Sequence, residues 1–368
     1  MSYSEYFKTY DLPRTTTQVD SLYHWQHGET FPPVIVELNP IHACNQKCRY
    51  CYTQKKGHPK ERLSSELLRR LPEELETYGV QSVLIQGTGE PLMNKDLKIF
   101  LVNTKLKIGL TTNGVLFNQV WQDDVLDKLH YVRFSVLDRN PERYAKLHGT
   151  TVSDWEKLIN NIAYMNKLRH EKEIPVAMWG TIYVHEDNYR HIGDIISFFR
   201  GLGMDYLVIQ ESRYGNYSLD PSDYRYFSET ISREAIKDIQ REILLQDSNE
   251  CRVKCRFPIN DETFFVGMDK TTWKKDFCQG IYFYGIISSD ANIYPCWRFW
   301  GNDKDYSYGD LTKQTFREIW EGMRRQEIIK RVLTTSPQGE ECAICNATKL
   351  NTILAQYNQP NSWRGFLI

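Results

Sequence analysis

The chain lacks any apolar run long enough to cross a bilayer. Its first twenty residues mix Tyr, Thr, Lys and Asp and lack the apolar core of a secretion signal. It also lacks a charge imbalance. Lys and Arg number 46 against 47 Asp and Glu, a net charge of -1 at pH 7, which argues against a general nucleic-acid binder that must displace counterions from phosphate. Internal repeats and low-complexity tracts are absent. A cytoplasmic protein with no nucleic-acid and no membrane partner is the expectation. Mean hydropathy is only -0.55, yet 41% of the 368 residues are hydrophobic. That is enough to fill the core of one large domain or two smaller ones. Nine cysteines in a reducing compartment are not expected to form structural disulfides, so their spacing needs another account.

Short β-branched runs recur at 34–36, 82–85, 107–110, 131–134, 176–184 and 206–209. Between them lie segments of helical periodicity. Ser64 opens one as a candidate N-cap, with Leu67, Leu68, Leu71 and Leu75 along one face. Six strands alternating with helices predict parallel βα units and an open or partial barrel. After Arg213 a polar loop and an amphipathic helix over 229–245 follow. A hairpin around the turn 288–292, a helix over 315–331 and the pair Cys342 and Cys345 come next.

Cys44, Cys48 and Cys51 lie within eight residues, directly after the first expected strand. Thiolates gathered on one loop are soft ligands for zinc or an iron–sulphur cluster. A four-iron cubane held by three cysteines leaves one iron open to a small molecule, the logic of a catalytic site. A structural Cys3His zinc site using His42 or His58 is the plainer alternative. The Cys-x3-Cys-x2-Cys loop, with Tyr50 just before its last cysteine, resembles the radical S-adenosylmethionine superfamily over residues 33–213. The resemblance implies that the open iron is chelated by the amine and carboxylate of the methionine moiety. It also implies that one electron cleaves the sulphonium to release a 5′-deoxyadenosyl radical.

Gly87-Thr88-Gly89-Glu90-Pro91 follows the second strand, where similar proteins carry Gly-Gly-Glu-Pro, with Thr88 in place of the first glycine. Glycines allow close backbone approach, and the Glu90 carboxylate can pair with the ligand ammonium; an ordinary strand-to-helix turn is the alternative. Thr111, Thr112, Asn113 and Gly114 end the third strand, and Ser135 and Asp138 follow the fourth. The resemblance makes Tyr50, Gly89, Glu90, Thr112, Asn113 and Ser135 cofactor contacts, although a cap or turn explains Asn113 and Ser135 equally well. All stand at C-terminal strand ends, where βα barrels place their chemistry. Trp179, Tyr183, Gln210, Glu211 and Arg213 are interior candidates for substrate contact.

Cys278, Cys296, Cys342 and Cys345 are spaced for a closed site around the hairpin. Together with Tyr294-Pro295-Cys296, Gly309-Asp310-Leu311 and Glu318-Ile319-Trp320 they resemble the twitch domain, the shortened SPASM extension that holds one auxiliary 4Fe–4S cluster. A zinc ribbon is the alternative. The fold expected is therefore α/β, a partial (βα)6 TIM-like barrel followed by a small α+β iron–sulphur domain. Its divisions are an N-terminal extension (1–30), the barrel (31–213), a linker and helix (214–275), the twitch domain (276–350) and a tail (351–368).

Two cysteines remain. Cys251 and Cys255 are either small buried hydrophobes or hydrogen-atom donors to a substrate radical, a role for which the adjacent Arg252 and Lys254 favour the wrong, thiolate form. The implied cofactors are S-adenosylmethionine and two 4Fe–4S clusters, one that binds it and one auxiliary. The implied partners are a small-molecule substrate and a one-electron donor such as flavodoxin or ferredoxin. Oxidation or epimerisation of a sugar or aminoglycoside-like compound is the leading expectation. Radical modification of a ribosomal peptide stands second, since only about thirty residues precede the barrel, few for a leader-binding domain. A zinc-stabilised binding scaffold is the non-enzymatic alternative. Metal identity separates the scaffold from the enzymatic readings. Anaerobically reconstituted protein should hold about eight irons per chain, falling to about four when Cys44, Cys48 and Cys51 are all changed to Ala; tightly bound zinc without iron would overturn the radical reading.

Overall fold

A computed structural model describes residues 19–51, 61–135, 138–214, 225–256, 278–297, 299–300, 304–335, 351 and 354. Its frame is one ten-stranded sheet. Strands β1 (Ile35–Leu38), β2 (Ser82–Ile85), β3 (Lys107–Thr112), β4 (Leu129–Phe134), β5 (Ala177–Val184) and β6 (Tyr206–Glu211) pair in parallel and in chain order. Helix α1 (Val19–Gln26) precedes them. The connections carry α2 (Ser65–Tyr78), α3 (Leu97–Asn103), α4 (Gln119–Val125), α5 (Pro141–His148), α6 (Val152–Glu171) and α7 (Ile192–Gly201). A two-residue antiparallel pair follows, β7 (Arg213–Tyr214) with β8 (Arg225–Tyr226).

The two faces of each strand differ in kind, as a period of two requires. Val36, Leu38, Val83, Ile85, Ile108, Leu110, Val132, Phe134, Met178, Ile182, Leu207 and Ile209 are all buried in the core shared with the helices. The alternate positions carry Glu37, Thr111, Tyr131, Arg133, Trp179, Tyr183 and Gln210. On this inner face the Tyr131 ring lies over Gly109, so close that a Cβ there would come within 2.2 Å of it. Tyr131 meets Trp179 at 5.6 Å, and the Arg133 guanidinium stands 5.5 Å from the Trp179 ring. Helix α2 shows how the local sequence sets the outer layer. Ser64 caps it by accepting from Leu67 N, and Leu67, Leu68, Leu71 and Leu75 are buried along one side.

Two features differ from the sequence expectation. The stretch read as linker and helix holds α8 (Arg233–Leu245), but also β9 (Arg252–Arg256), which pairs in parallel with β6 and adds a seventh strand of the βα kind. Its charged residues alternate with Cys251, Val253 and Cys255 and mask the strand pattern. The expected hairpin exists as β10 (Tyr284–Ile287) and β11 (Asn292–Tyr294), joined at its edge by β12 (Gly309–Asp310). It is not a separate sheet, because β10 pairs in parallel with β1. The following helices, α9 (Phe316–Glu321) and α10 (Met323–Thr335), dock beside α2. Phe316 N donates to Glu74 and Trp320 Nε1 donates to Phe31 O. Among the described residues no helix is long and apolar enough to cross a membrane.

One ion pair ties three elements at the N-terminal end of the sheet. Arg169, 8% exposed at the end of α6, pairs with Asp205 and donates to Val176 O at 3.1 Å and Gly203 O at 2.8 Å. Asp205 in turn accepts from Met178 N. Removing one partner strands a buried charge. Arg169→Ala should lower unfolding free energy by about 3–5 kcal/mol in urea titration. Arg241→Ala, which breaks an exposed pair with Asp238, should cost less than about 1 kcal/mol.

Candidate active site

The loop that leaves β1 carries Cys44, Cys48 and Cys51, all half-buried free thiols. The end of α5 clamps it. Lys47 N donates to His148 O and Arg49 N to Leu147 O, both at 2.9 Å. Gln46 is buried; its Nε2 donates to Tyr144 Oη at 2.9 Å, and its Oε1 lies 2.7 Å from His148 Nδ1. The same His148 nitrogen stands 3.4 Å from Cys48 Sγ. Sequence reasoning missed Gln46, Tyr144 and His148, because they lie about a hundred residues apart and belong to no motif.

The loop after β2 presses on the other side. Glu90 N donates to Ala43 O at 2.9 Å. A Cβ on Gly89 would come within 2.1 Å of that same oxygen, so glycine is required for the approach. Thr88, the departure from the family pattern, is buried with Oγ1 2.7 Å from His42 Nδ1. It holds the base of the cysteine loop where a glycine would hold nothing.

Glu90 is the hub of the site. It is 2% exposed and accepts from Thr112 Oγ1 at 2.6 Å, Asn113 N at 2.8 Å and Leu92 N at 3.2 Å. Burial pushes its carboxyl up to about 7, against the opposing pull of these donors. Asn113 Nδ2 reaches Asn45 Oδ1 at 2.7 Å, tying the end of β3 to the cysteine loop. Tyr50 stacks on Tyr183 at 5.1 Å. Ser135 is half-buried at the end of β4, with its N donating to Thr112 O. Tyr50, Gly89, Glu90, Thr112, Asn113 and Ser135 therefore stand around the loop at one end of the sheet. Asp138 is used elsewhere: it is 2% exposed, pairs with Arg143 at 2.9 Å and faces His185 at 3.8 Å.

The interior candidates divide. Trp179, Tyr183 and Gln210 lie on the inner face. Glu211 does not: it is in register with buried Val184 and accepts from Ser228 N at 3.0 Å. The side chain of Arg213 lies outside the described set, as does His58. Cys251 and Cys255 are not brought to the site. Cys251 precedes β9 at the opposite, N-terminal end of the sheet, wholly buried, its thiol pushed up to about 11 by burial. Cys255 is in register with Ile209 and packs toward the helix-side core. Strand register turns Cys255 to the helix side, whereas Cys251 lies before the strand.

The second cysteine group is described for Cys278 and Cys296; Cys342 and Cys345 lie outside the described residues. Cys278 precedes the turn Gln279–Tyr282 and accepts from Asn351 Nδ2 at 3.7 Å. Beside Cys296, Trp297 Nε1 donates to Glu37 Oε2 at 2.9 Å, and Tyr284 Oη donates to the same oxygen. Glu37, on β1, therefore pins the hairpin to the barrel. Burial pushes its carboxyl up to about 7 despite those donors.

The residues present fit iron–sulphur ligation. Among the described residues no group of three His, Cys, Asp or Glu side chains is gathered closely enough to hold a single metal ion. The three loop thiols lie within electrostatic reach of one another. Burial, then the charges of Glu90 and Cys51, push Cys44 up to about 12, and Cys48 rises further. Such thiols become thiolates only when a metal supplies positive charge.

Gly89→Ala should push the β2 loop off the cysteine loop and cut iron retained after reconstitution by at least half. Gly201→Ala, where an added Cβ meets nothing within 4 Å, should keep wild-type iron. Iron and sulphide assays on both variants check this.

Known proteins agree with this geometry. The family model described as the radical SAM superfamily matches residues 38–199, and one described as an iron–sulfur cluster-binding domain matches residues 278–346. A probable GTP 3′,8-cyclase of Methanocaldococcus jannaschii is 28% identical over 195 residues, 50% of this chain and 62% of that protein; the chain thus spans less than two thirds of its length. Among solved structures, Streptococcus suis SuiB bound to precursor peptide SuiA aligns with TM-score 0.61 at 15% identity, covering 92% of this chain and 76% of that one. Native anSMEcpe with bound AdoMet aligns with TM-score 0.53 at 21% identity, covering 86% of this chain and 88% of that one. At those identities the likeness is one of fold. With both matched segments lying over the two cysteine groups, the chain belongs to the radical S-adenosylmethionine superfamily, carries a C-terminal iron–sulphur cluster-binding domain, and takes S-adenosylmethionine and 4Fe–4S clusters as cofactors.

Proposed function

We propose that this enzyme removes a hydrogen atom from a C–H bond of a polar small molecule, a sugar, aminoglycoside or nucleotide-like compound, held against the inner face of the half-barrel. One cluster is assigned to Cys44, Cys48 and Cys51, and an auxiliary one to Cys278, Cys296, Cys342 and Cys345. Held at the first site with S-adenosylmethionine, a 4Fe–4S cluster would supply one-electron reducing chemistry, with a donor such as flavodoxin or ferredoxin to replenish it.

The chain's own residues bind and orient. Glu90 receives the methionine ammonium, and Asn113, bonded to Asn45, keeps that carboxylate beside the cysteine loop. Tyr50 stacks on Tyr183 at the end of the inner face, and exclusion of water there would protect a reactive carbon radical.

A row of unsatisfied polar atoms carries the substrate reading. Thr111, Arg133 and Trp179 are neighbours in register across β3, β4 and β5. Thr111 Oγ1, Arg133 Nε and Trp179 Nε1 are buried without hydrogen-bond partners, as are Glu37 Oε1 and both side-chain polar atoms of Asn39. Each unsatisfied buried group costs about 1–3 kcal/mol. A ligand rich in both donors and acceptors recovers that cost, whereas an apolar one does not. The resemblance to proteins named for a reaction of GTP, a polar small molecule, agrees in class.

Reconstituted enzyme with S-adenosylmethionine and a reductant should form 5′-deoxyadenosine faster with a substrate from a panel of aminocyclitols, sugars and nucleotides than with short peptides. Turnover on peptides alone would favour the peptide-modifying alternative. Arg133→Met should raise KM for the active compound about tenfold, the loss of one charged hydrogen bond, with S-adenosylmethionine affinity unchanged. Glu90→Ala should do the converse, weakening S-adenosylmethionine binding with iron content retained. Solvent deuterium in a recovered substrate epimer would mark epimerisation; a two-electron oxidised product would mark dehydrogenation.

A further inference from the structure

Helix α10 contains a residue that its own pattern does not predict. Positions 325, 328, 329 and 332 form one stripe at helical spacing, and Ile328, Ile329 and Val332 are buried along it. The fourth member is Arg325, 4% exposed. Its guanidinium lies 3.9 Å from the Trp320 ring and 5.7 Å from that of Tyr308, and Nη1 donates to Trp320 O at 3.2 Å. Nε is buried without a partner. The groups acting on its charge are the hydroxyls of Tyr308, Tyr78 and Tyr282, none of them a carboxylate. Contact with aromatic rings offsets only part of the cost of burying a cation without an anion. Among the described residues no carboxylate pairs with it directly.

Tyr308 points to where an anion belongs. It is 2% exposed, its hydroxyl is buried without a partner, and it lies within electrostatic reach of both Cys278 and Cys296. Tyr308, with the Arg325 guanidinium beside its ring, is therefore an unsatisfied donor within reach of two of the thiols assigned to the auxiliary cluster. A cubane held by thiolates is anionic and gains a further negative charge on reduction. Nearby positive charge and hydrogen bonds to its sulphurs favour the reduced form.

We propose that Arg325 and Tyr308 are the countercharge and hydrogen-bond donor of the iron–sulphur cluster held by Cys278 and Cys296, and that they raise its reduction potential. This rests on the auxiliary-cluster assignment made above. The conservative element is charge rather than shape: Lys at 325 retains the effect in part, and Met, of similar length and apolar, removes it.

The test uses the full chain with Cys44, Cys48 and Cys51 changed to Ala, so that only the auxiliary cluster remains, and follows its electron paramagnetic resonance signal during a potentiometric titration. About four irons in this background, lost again on Cys278→Ala, establish the site itself; their absence overturns the assignment and this inference with it. With iron retained, Arg325→Met should disfavour reduction at least tenfold, a fall of about 59 mV for one electron. Arg325→Lys should recover most of it, and Tyr308→Phe should give a smaller shift of the same sign. An unchanged midpoint in both Arg325→Met and Tyr308→Phe overturns the proposal. Should Arg325→Met lose its iron, Tyr308→Phe, which removes a single oxygen, decides alone: a lower midpoint upholds the proposal and an unchanged one overturns it.

Discussion

The constraint on which the site depends is the contact between two loops, where Gly89 meets the backbone of His42 and Ala43 and Glu90 N donates to Ala43 O. Everything chemical stands on that contact. It places a buried carboxylate beside three thiols and forces the ends of β1 and β2 together. Through Thr112 and Asn113 it draws in the end of β3. The carboxylate accepts three donors and is still pushed up by burial.

A second joint decides the architecture. Glu37 sits on β1, between the parallel strands on one side and the hairpin on the other, and accepts from Tyr284 and Trp297. The auxiliary segment is therefore an extension of the barrel sheet, with β10 added to β1 in parallel. A change in this hairpin can reach the inner face through one carboxylate rather than across a hinge.

The helix side of the sheet was legible in the sequence because apolar alternation and the Ser64 cap are local signals. The first cysteine loop and the Gly-Thr-Gly-Glu-Pro turn were legible for the same reason. Legibility failed where a role depends on parity or distance. Glu211 and Gln210 are adjacent, yet only Gln210 faces inward. Cys255 looked chemically suggestive, but register with Ile209 turns it to the helices. β9 escaped notice because alternating Arg and Lys residues hide its apolar positions. His148, Gln46 and Tyr144 meet the cysteine loop only because α5 folds back onto it.

By itself the sequence determined the kind of chemistry. Three thiols in eight residues, a glycine-flanked glutamate and four further cysteines are short-range patterns, and their ligand logic survives without coordinates. Tertiary structure decided which polar residues lie side by side on the inner face. Thr111, Arg133 and Trp179 come from strands separated by whole helices, and only parallel register sets them side by side. It also decided that Arg325 is buried with no carboxylate paired to it among the described residues, since a charge on a helix acquires its cost only from what packs around it.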